Sequence, residues 1–171
     1  MNPSVYYAVL KHFGSEAIEQ AILHYISENL DQNGYEVHYE ECCECHDIYD
    51  LRFSNNRYCV RVHVEYDNQI IKLESIAHVG CFSGNIQNDL FEKFPSIDKH
   101  KDSIFALNAN GMDLLHIQNV IDLRHDGLFN FENRASEFIG FIDMISNELM
   151  KNAVFLSFLK SDEIDSLKYG A

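Results

Sequence analysis

The segment Glu41-Cys42-Cys43-Glu44-Cys45-His46-Asp47 holds the densest set of chemically capable side chains in the sequence. Cys42 and Cys45 have C-x-x-C spacing, and thiolates beside an imidazole such as His46 suit zinc. Cys59 and His63 nominally complete a four-ligand set. On a strand, however, these two residues lie roughly 13 Å apart at ~3.3 Å per residue, too far for both to reach one ion about 2 Å away. His38 or His46 would have to supply the fourth ligand. A lone C-x-x-C is not specific, so Cys42, Cys45 and His46 stand as candidate ligands with no metal assigned. The segment is expected to be an irregular, solvent-touched connection between strands.

Cys81 falls between a strand and the N-terminus expected for a helix after Gly84, where free amides can stabilise a thiolate. His78, three residues earlier, is the nearest base in sequence, but spacing alone does not bring the two side chains together. His63-Val64-Glu65 has the H-x-E form of zinc deaminases, yet no P-C-x-x-C follows. No H-E-x-x-H, phosphate-binding loop or dinucleotide fingerprint occurs, and Gly80-Cys81-Phe82-Ser83-Gly84 puts its serine one position late for a nucleophile elbow. No catalytic residue and no cofactor is therefore expected, and the protein is read as a non-enzyme.

The acidic residues are more informative. The chain has 27 acids against 13 bases, a formal charge of -14, and no Lys or Arg lies between Lys11 and Arg52. That gap holds Glu16, Glu19, Glu28, Asp31, Glu36, Glu40, Glu41, Glu44, Asp47 and Asp50. Such a field repels phosphate backbones and anionic lipid and speeds encounter with a basic partner, an effect that salt weakens. Neither nucleic acid nor membrane is expected as a partner. Tyr35 and Tyr39 alternate with these acids, a composition common at interfaces. Glu36, Glu40, Glu41, Glu44, Asp47, Asp50, Tyr35 and Tyr39 are accordingly the candidate partner-binding residues.

Positioning those residues requires a scaffold, and its periodicities are legible. Asn2-Pro3 resembles a capped start for a short helix ending at Gly14, and Ser15 is expected to cap a helix carrying Ile18, Ala21, Ile22, Tyr25, Ile26 and Leu30. Asn33-Gly34 then turns the chain into period-two alternation through Tyr35, Val37 and Tyr39, again in Tyr49, Leu51 and Phe53, and in Tyr58 to Tyr66. Residues 69–79 read as a further strand, and such short connections favour antiparallel neighbours. A short helix from about Gly84 carries Leu90, Phe91 and Phe94 and ends near Pro95. Two strands flank Asn110-Gly111, a dipeptide suited to a two-residue hairpin turn. A final helix from about Arg134 buries Phe138, Phe141, Ile142, Ile145 and Leu149 and extends toward Leu156 and Leu159.

The expected architecture is α+β: an antiparallel sheet of five to six strands packed with an N-terminal helix, a short middle helix and a long C-terminal helix. Residues 1–160 are read as one domain and 161–171 as a polar tail. With 46% hydrophobic residues there is ample material for a core. No apolar run approaches a membrane span, no basic residue precedes one at the N-terminus, and five cysteines with three crowded together do not form a secreted disulfide framework. A cytoplasmic protein with reduced thiols is expected.

From about Val5 to Asn152 this order of elements resembles the bacterial YbjN-like proteins and the related chaperones of type III secretion. The resemblance rests mainly on Asn88 to Phe94, the strand Ile104 to Asn108, the Asn110-Gly111 turn, the strand ending at Leu123, and the helix bearing Phe138, Phe141, Ile142 and Ile145. Cys42 to His46 departs from that pattern. The resemblance implies a homodimerising, non-enzymatic binder of an unfolded or partly unfolded client. A chaperone-like module for a basic or partly unfolded protein is the leading expectation. The alternatives are an immunity or antitoxin protein neutralising a basic toxin such as a nuclease, and a small metal-dependent enzyme built on Cys42 to His46.

Overall fold

A computed structural model describes residues 14–80, 86–109, 111–152, 154 and 156–169. The helix expected over residues 2–13, the Gly84-Asn85 cap, Cys81 and Asn110 lie outside them. The elements run α1 (Ser15–Gln32), β1 (Glu36–Glu41), β2 (Ile48–Ser54), β3 (Cys59–Glu65), β4 (Ile70–Val79), α2 (Ile86–Lys93), α3 (Pro95–Asp98), β5 (Ile104–Ala109), β6 (Met112–Asp122), α4 (Phe131–Lys151), β7 (Leu156–Phe158) and α5 (Ser161–Tyr169). This is the expected α+β arrangement, with a seven-stranded sheet.

The order across the sheet is β1-β2-β3-β4-β6-β5, every pairing is antiparallel, and β7 adds to the end of β4. Short turns dictate this pattern, because a parallel return would need a long crossover. The Ala109↔Met112 pairing leaves a two-residue turn, and Gly111 takes φ +76°, a value glycine adopts without steric cost.

One face of the sheet carries the main core. Val60, Val62, Val64, Ile71, Leu73, Leu115 and Ile117 alternate inward along their strands and are buried. Ile18, Ile22, Ile26 and Leu30 form the facing stripe of α1, which packs on β1, β2 and β3. Phe131, Ala135, Phe138, Ile142, Ile145 and Leu149 do the same for α4. Each such aliphatic or aromatic side chain contributes about 1.5–3 kcal/mol on burial.

Four boundaries differ from expectation. Ser15 is the first helical residue of α1; Gly14, at φ +92°, occupies the cap position without a side-chain cap. Pro95 ends α2 as expected and also opens α3, where its missing N–H costs nothing. α4 begins at Phe131 and stops at Lys151, so Leu156 lies on β7, paired with Val79, and Leu159 just beyond it. Residues 161–169 form α5 instead of a tail: Ile164 is buried with Cys59 and Leu159, and the Glu163 carboxylate accepts from the Lys160 N–H at 2.8 Å, half of a capping box. This second, small cluster lies on the face of the sheet opposite the main core.

Candidate functional site

β1 opens the strand order and, among the described residues, pairs with β2 alone. Alternation along it sends Glu36, His38 and Glu40 to the outer face, opposite Ser54, Arg52 and Asp50 of β2, and all three are exposed. Val37 and Tyr35 turn inward; Tyr35 meets Phe53 edge-on at 5.2 Å between ring centroids. Tyr35 is thus chiefly an anchor, whereas Tyr39 remains 50% exposed. The register slips after Glu40↔Asp50 to Glu41↔Ile48, and Tyr49 falls at that bulge, 60% exposed. The slip explains why alternation alone places Tyr49 with the buried Leu51 and Phe53.

The β1–β2 hairpin ends in a turn over residues 42–47. The Cys42 N–H donates to the Asp47 carbonyl and the His46 N–H to the Cys42 carbonyl, both at 2.9 Å, with His46 at φ +58°. Glu41, Glu44 and Asp47 are exposed around it. The neighbouring Cys45 thiol holds Cys42 below the usual thiol range, and the Cys42 thiol in turn pushes Cys45 up to about 11. Among the described residues no three His, Cys, Asp or Glu side chains converge as a metal cluster, and His46 joins no such group.

Asp50 has a different place from the other candidate acids. It is 7% exposed, and the Arg52 Nη2 donates to its Oδ2 at 2.7 Å; the Arg61 Nε lies 3.4 Å from its other oxygen. Asp50 is therefore an internal counter-ion, not part of the exposed acidic set. Arg52, 4% exposed, also donates to Asp165 Oδ1 at 2.6 Å and to the Ser161 carbonyl and hydroxyl at 3.1 and 3.0 Å. Burial alone would lower the Arg52 pKa, but the Asp165 hydrogen bond and the charges of Asp50 and Asp165 more than offset it and hold the guanidinium charged. This buried fork fastens α5 to the outer face of the sheet.

Two concavities of about 470 and 230 Å³ flank that fastening and share His38, Ser161 and Asp162. Cys59 lines the larger, where burial pushes its thiol up despite the neighbouring Arg52 charge, a setting that disfavours a thiolate nucleophile. His63, four positions along β3 from Cys59, is exposed. His78 is half-buried on β4, and its suggested partner Cys81 is not among the described residues. The Arg52, Asp50, Asp165, Ser161 and Arg61 network was not expected from sequence. Its one local signal is Asp50-x-Arg52, two opposite charges on one face of an otherwise apolar strand.

No family model matches the sequence, and no curated protein does. A solved structure does match in shape: the crystal structure of YbjN from E. coli, over 81% of this chain and 96% of that one, at a TM-score of 0.53 and 15% identity. The fold is similar to that of YbjN. The likeness agrees with the resemblance drawn from the element order, and at this identity it speaks to fold alone. No helix among the described residues is long and apolar enough to cross a membrane.

Proposed function

We propose that the protein is a non-catalytic binding module that holds a basic or locally unfolded protein segment along β1. The observation that carries this reading is the sheet edge itself: a strand paired on one side among the described residues, with Glu36, Glu40, Glu41, Glu44 and Asp47 exposed along it and around its hairpin and with the Tyr39 and Tyr49 rings beside them. An extended partner segment gains main-chain hydrogen bonds by adding to such an edge, and its Lys or Arg side chains meet the carboxylates. The same acids keep the edge from pairing with other copies of itself, since like charges placed opposite one another repel. YbjN is described as a candidate transcription regulator; for this chain, a regulatory role would run through protein contact, because its acidic edge repels phosphate.

The exposed carboxylates also support the immunity reading, in which they imitate the phosphates that a basic nuclease toxin recognises. Partner identity separates the two. Affinity capture from the native host at low and moderate salt, with mass spectrometry of the retained proteins, should recover a stoichiometric basic partner whose retention falls with salt. Recovery of no stoichiometric protein under either condition would sink both readings. With the partner in hand, Glu36→Lys, Glu40→Lys and Glu44→Lys together should slow association about tenfold at low salt, within the range of electrostatic steering. An unchanged on-rate would leave the acidic edge as a solubility device.

A further inference from the structure

We propose that Cys42 and Cys45 form a reversible redox couple at the tip of the β1–β2 hairpin, a surface dithiol that a small cationic or neutral disulfide oxidises to an internal Cys42–Cys45 bridge. The turn supplies the geometry. Its His46 N–H to Cys42 carbonyl bond closes one turn of α-helical form. Residues three apart on such a turn have Cα atoms about 5 Å apart, from the helix's ~1.5 Å rise and ~2.3 Å radius. That lies inside the Cα window of about 4.4–6.8 Å that a disulfide needs, and a small tightening of the surface turn brings the two Cβ atoms into range. Both thiols are free and neighbours on the turn, Cys45 is exposed and Cys42 half-exposed, so a small disulfide can reach them. Cys43 is one residue on, about 100° round the turn, and does not share this geometry with either.

The chemistry balances with the disulfide as the only co-reactant. Cys42, as its thiolate, attacks one sulfur of R–S–S–R; the S–S bond breaks, and the first RS⁻ leaves with its electron pair and takes up a proton. Cys45 then releases its proton to solvent and attacks Cys42 Sγ, expelling the second RS⁻. The protein loses two hydrogens and the disulfide becomes two thiols. Glu41, Glu44 and Asp47 set the preference: their charge repels an anionic disulfide and draws a cationic one. This inference does not depend on the binding reading, since it concerns the thiols alone.

The test exposes the full-length protein to cystamine or to oxidised glutathione, followed by proteolysis after Glu44, which separates Cys45 from Cys42 and Cys43. Cystamine should yield a Cys42–Cys45 linked peptide pair, about tenfold faster than oxidised glutathione at low ionic strength, a difference that added salt erodes. Cys45→Ser should instead trap the mixed disulfide on Cys42, and Cys43→Ser should leave the bridge intact. Wild-type protein that keeps stable adducts with no linked pair, or Cys42→Ser that reacts as fast as wild type, overturns the couple. Equal rates for the two disulfides overturn the charge preference. The turn is at the surface, so circular dichroism should show all three variants folded.

Discussion

Both terminal nitrogens of the buried Arg52 guanidinium are committed: two carboxylates and the first residue of α5 share their donors. Removing one partner of a buried pair strands the other without water, which costs far more than the pair contributes relative to apolar residues. Arg52→Ala should lower unfolding stability by about 3–5 kcal/mol in a urea titration. Asp122 shows a half-buried counterpart. The Arg124 Nε and Nη2 bond both of its oxygens, and the carboxyl is held at about 2. A carboxylate depressed in the folded state stabilises the fold above its unfolded pKa near 4 and loses that contribution as pH falls toward 2. A carboxyl titration followed by NMR should show this low midpoint, and Arg124→Ala should raise it, though the backbone N–H of residue 124 still donates to the carboxylate. Of the eight partner-binding candidates, the acidic character was legible by counting, but Asp50 was misplaced because its burial depends on Arg52, Arg61 and α5.

Elements reveal their limits through what they pack against. α5 buries Ile164 against Cys59 and Leu159, but the satellite cluster is small, and what adds to it is the part-buried reach of Arg52 to Asp165 and Ser161. Ile164→Ala should cost about 2 kcal/mol, the low end for an aliphatic truncation, because a thinly covered site can partly collapse. Hydrogen exchange should show the amides of α5 opening before those of α4, which has the whole main core beneath it. In the β5–β6 hairpin, Gly111→Ala meets no neighbouring atom but forces a side chain to φ +76°, which should cost about 1–2 kcal/mol by thermal unfolding. Periodicity made α1, β3, β4, β6 and α4 readable. It overran at Leu156 and Leu159 because an apolar spacing compatible with a helix is equally satisfied by a three-residue strand completing the end of β4.

For the molecule as a whole, the decisive quantity is how the charge of -14 is laid over the surface. The sheet divides it: the main core occupies one face, the outer face carries ion pairs, and the exposed acids of β1 and its hairpin border an edge that, among the described residues, is paired on one side. Association with a basic partner should therefore weaken with rising salt through a slower on-rate more than a faster off-rate, as stopped-flow measurements across ionic strengths would show.

The sequence by itself determined the fold class, the stripes of α1 and α4, the hairpin geometry at Gly111 and the acidic segment from residue 12 to 51, because each of these depends on neighbours a few positions apart. The tertiary structure decided which acids meet solvent, that Tyr49 stands outward at a bulge, and that residues 161–169 clasp the sheet. Those outcomes depend on partners far apart in the chain: Arg52 and Asp165 are 113 residues apart, and no local pattern encodes their contact. The Cys42–Cys45 pair lies between the two cases. Its spacing was visible at once, but only the folded turn showed the two residues one helical turn apart with no third metal ligand converging on them among the described residues.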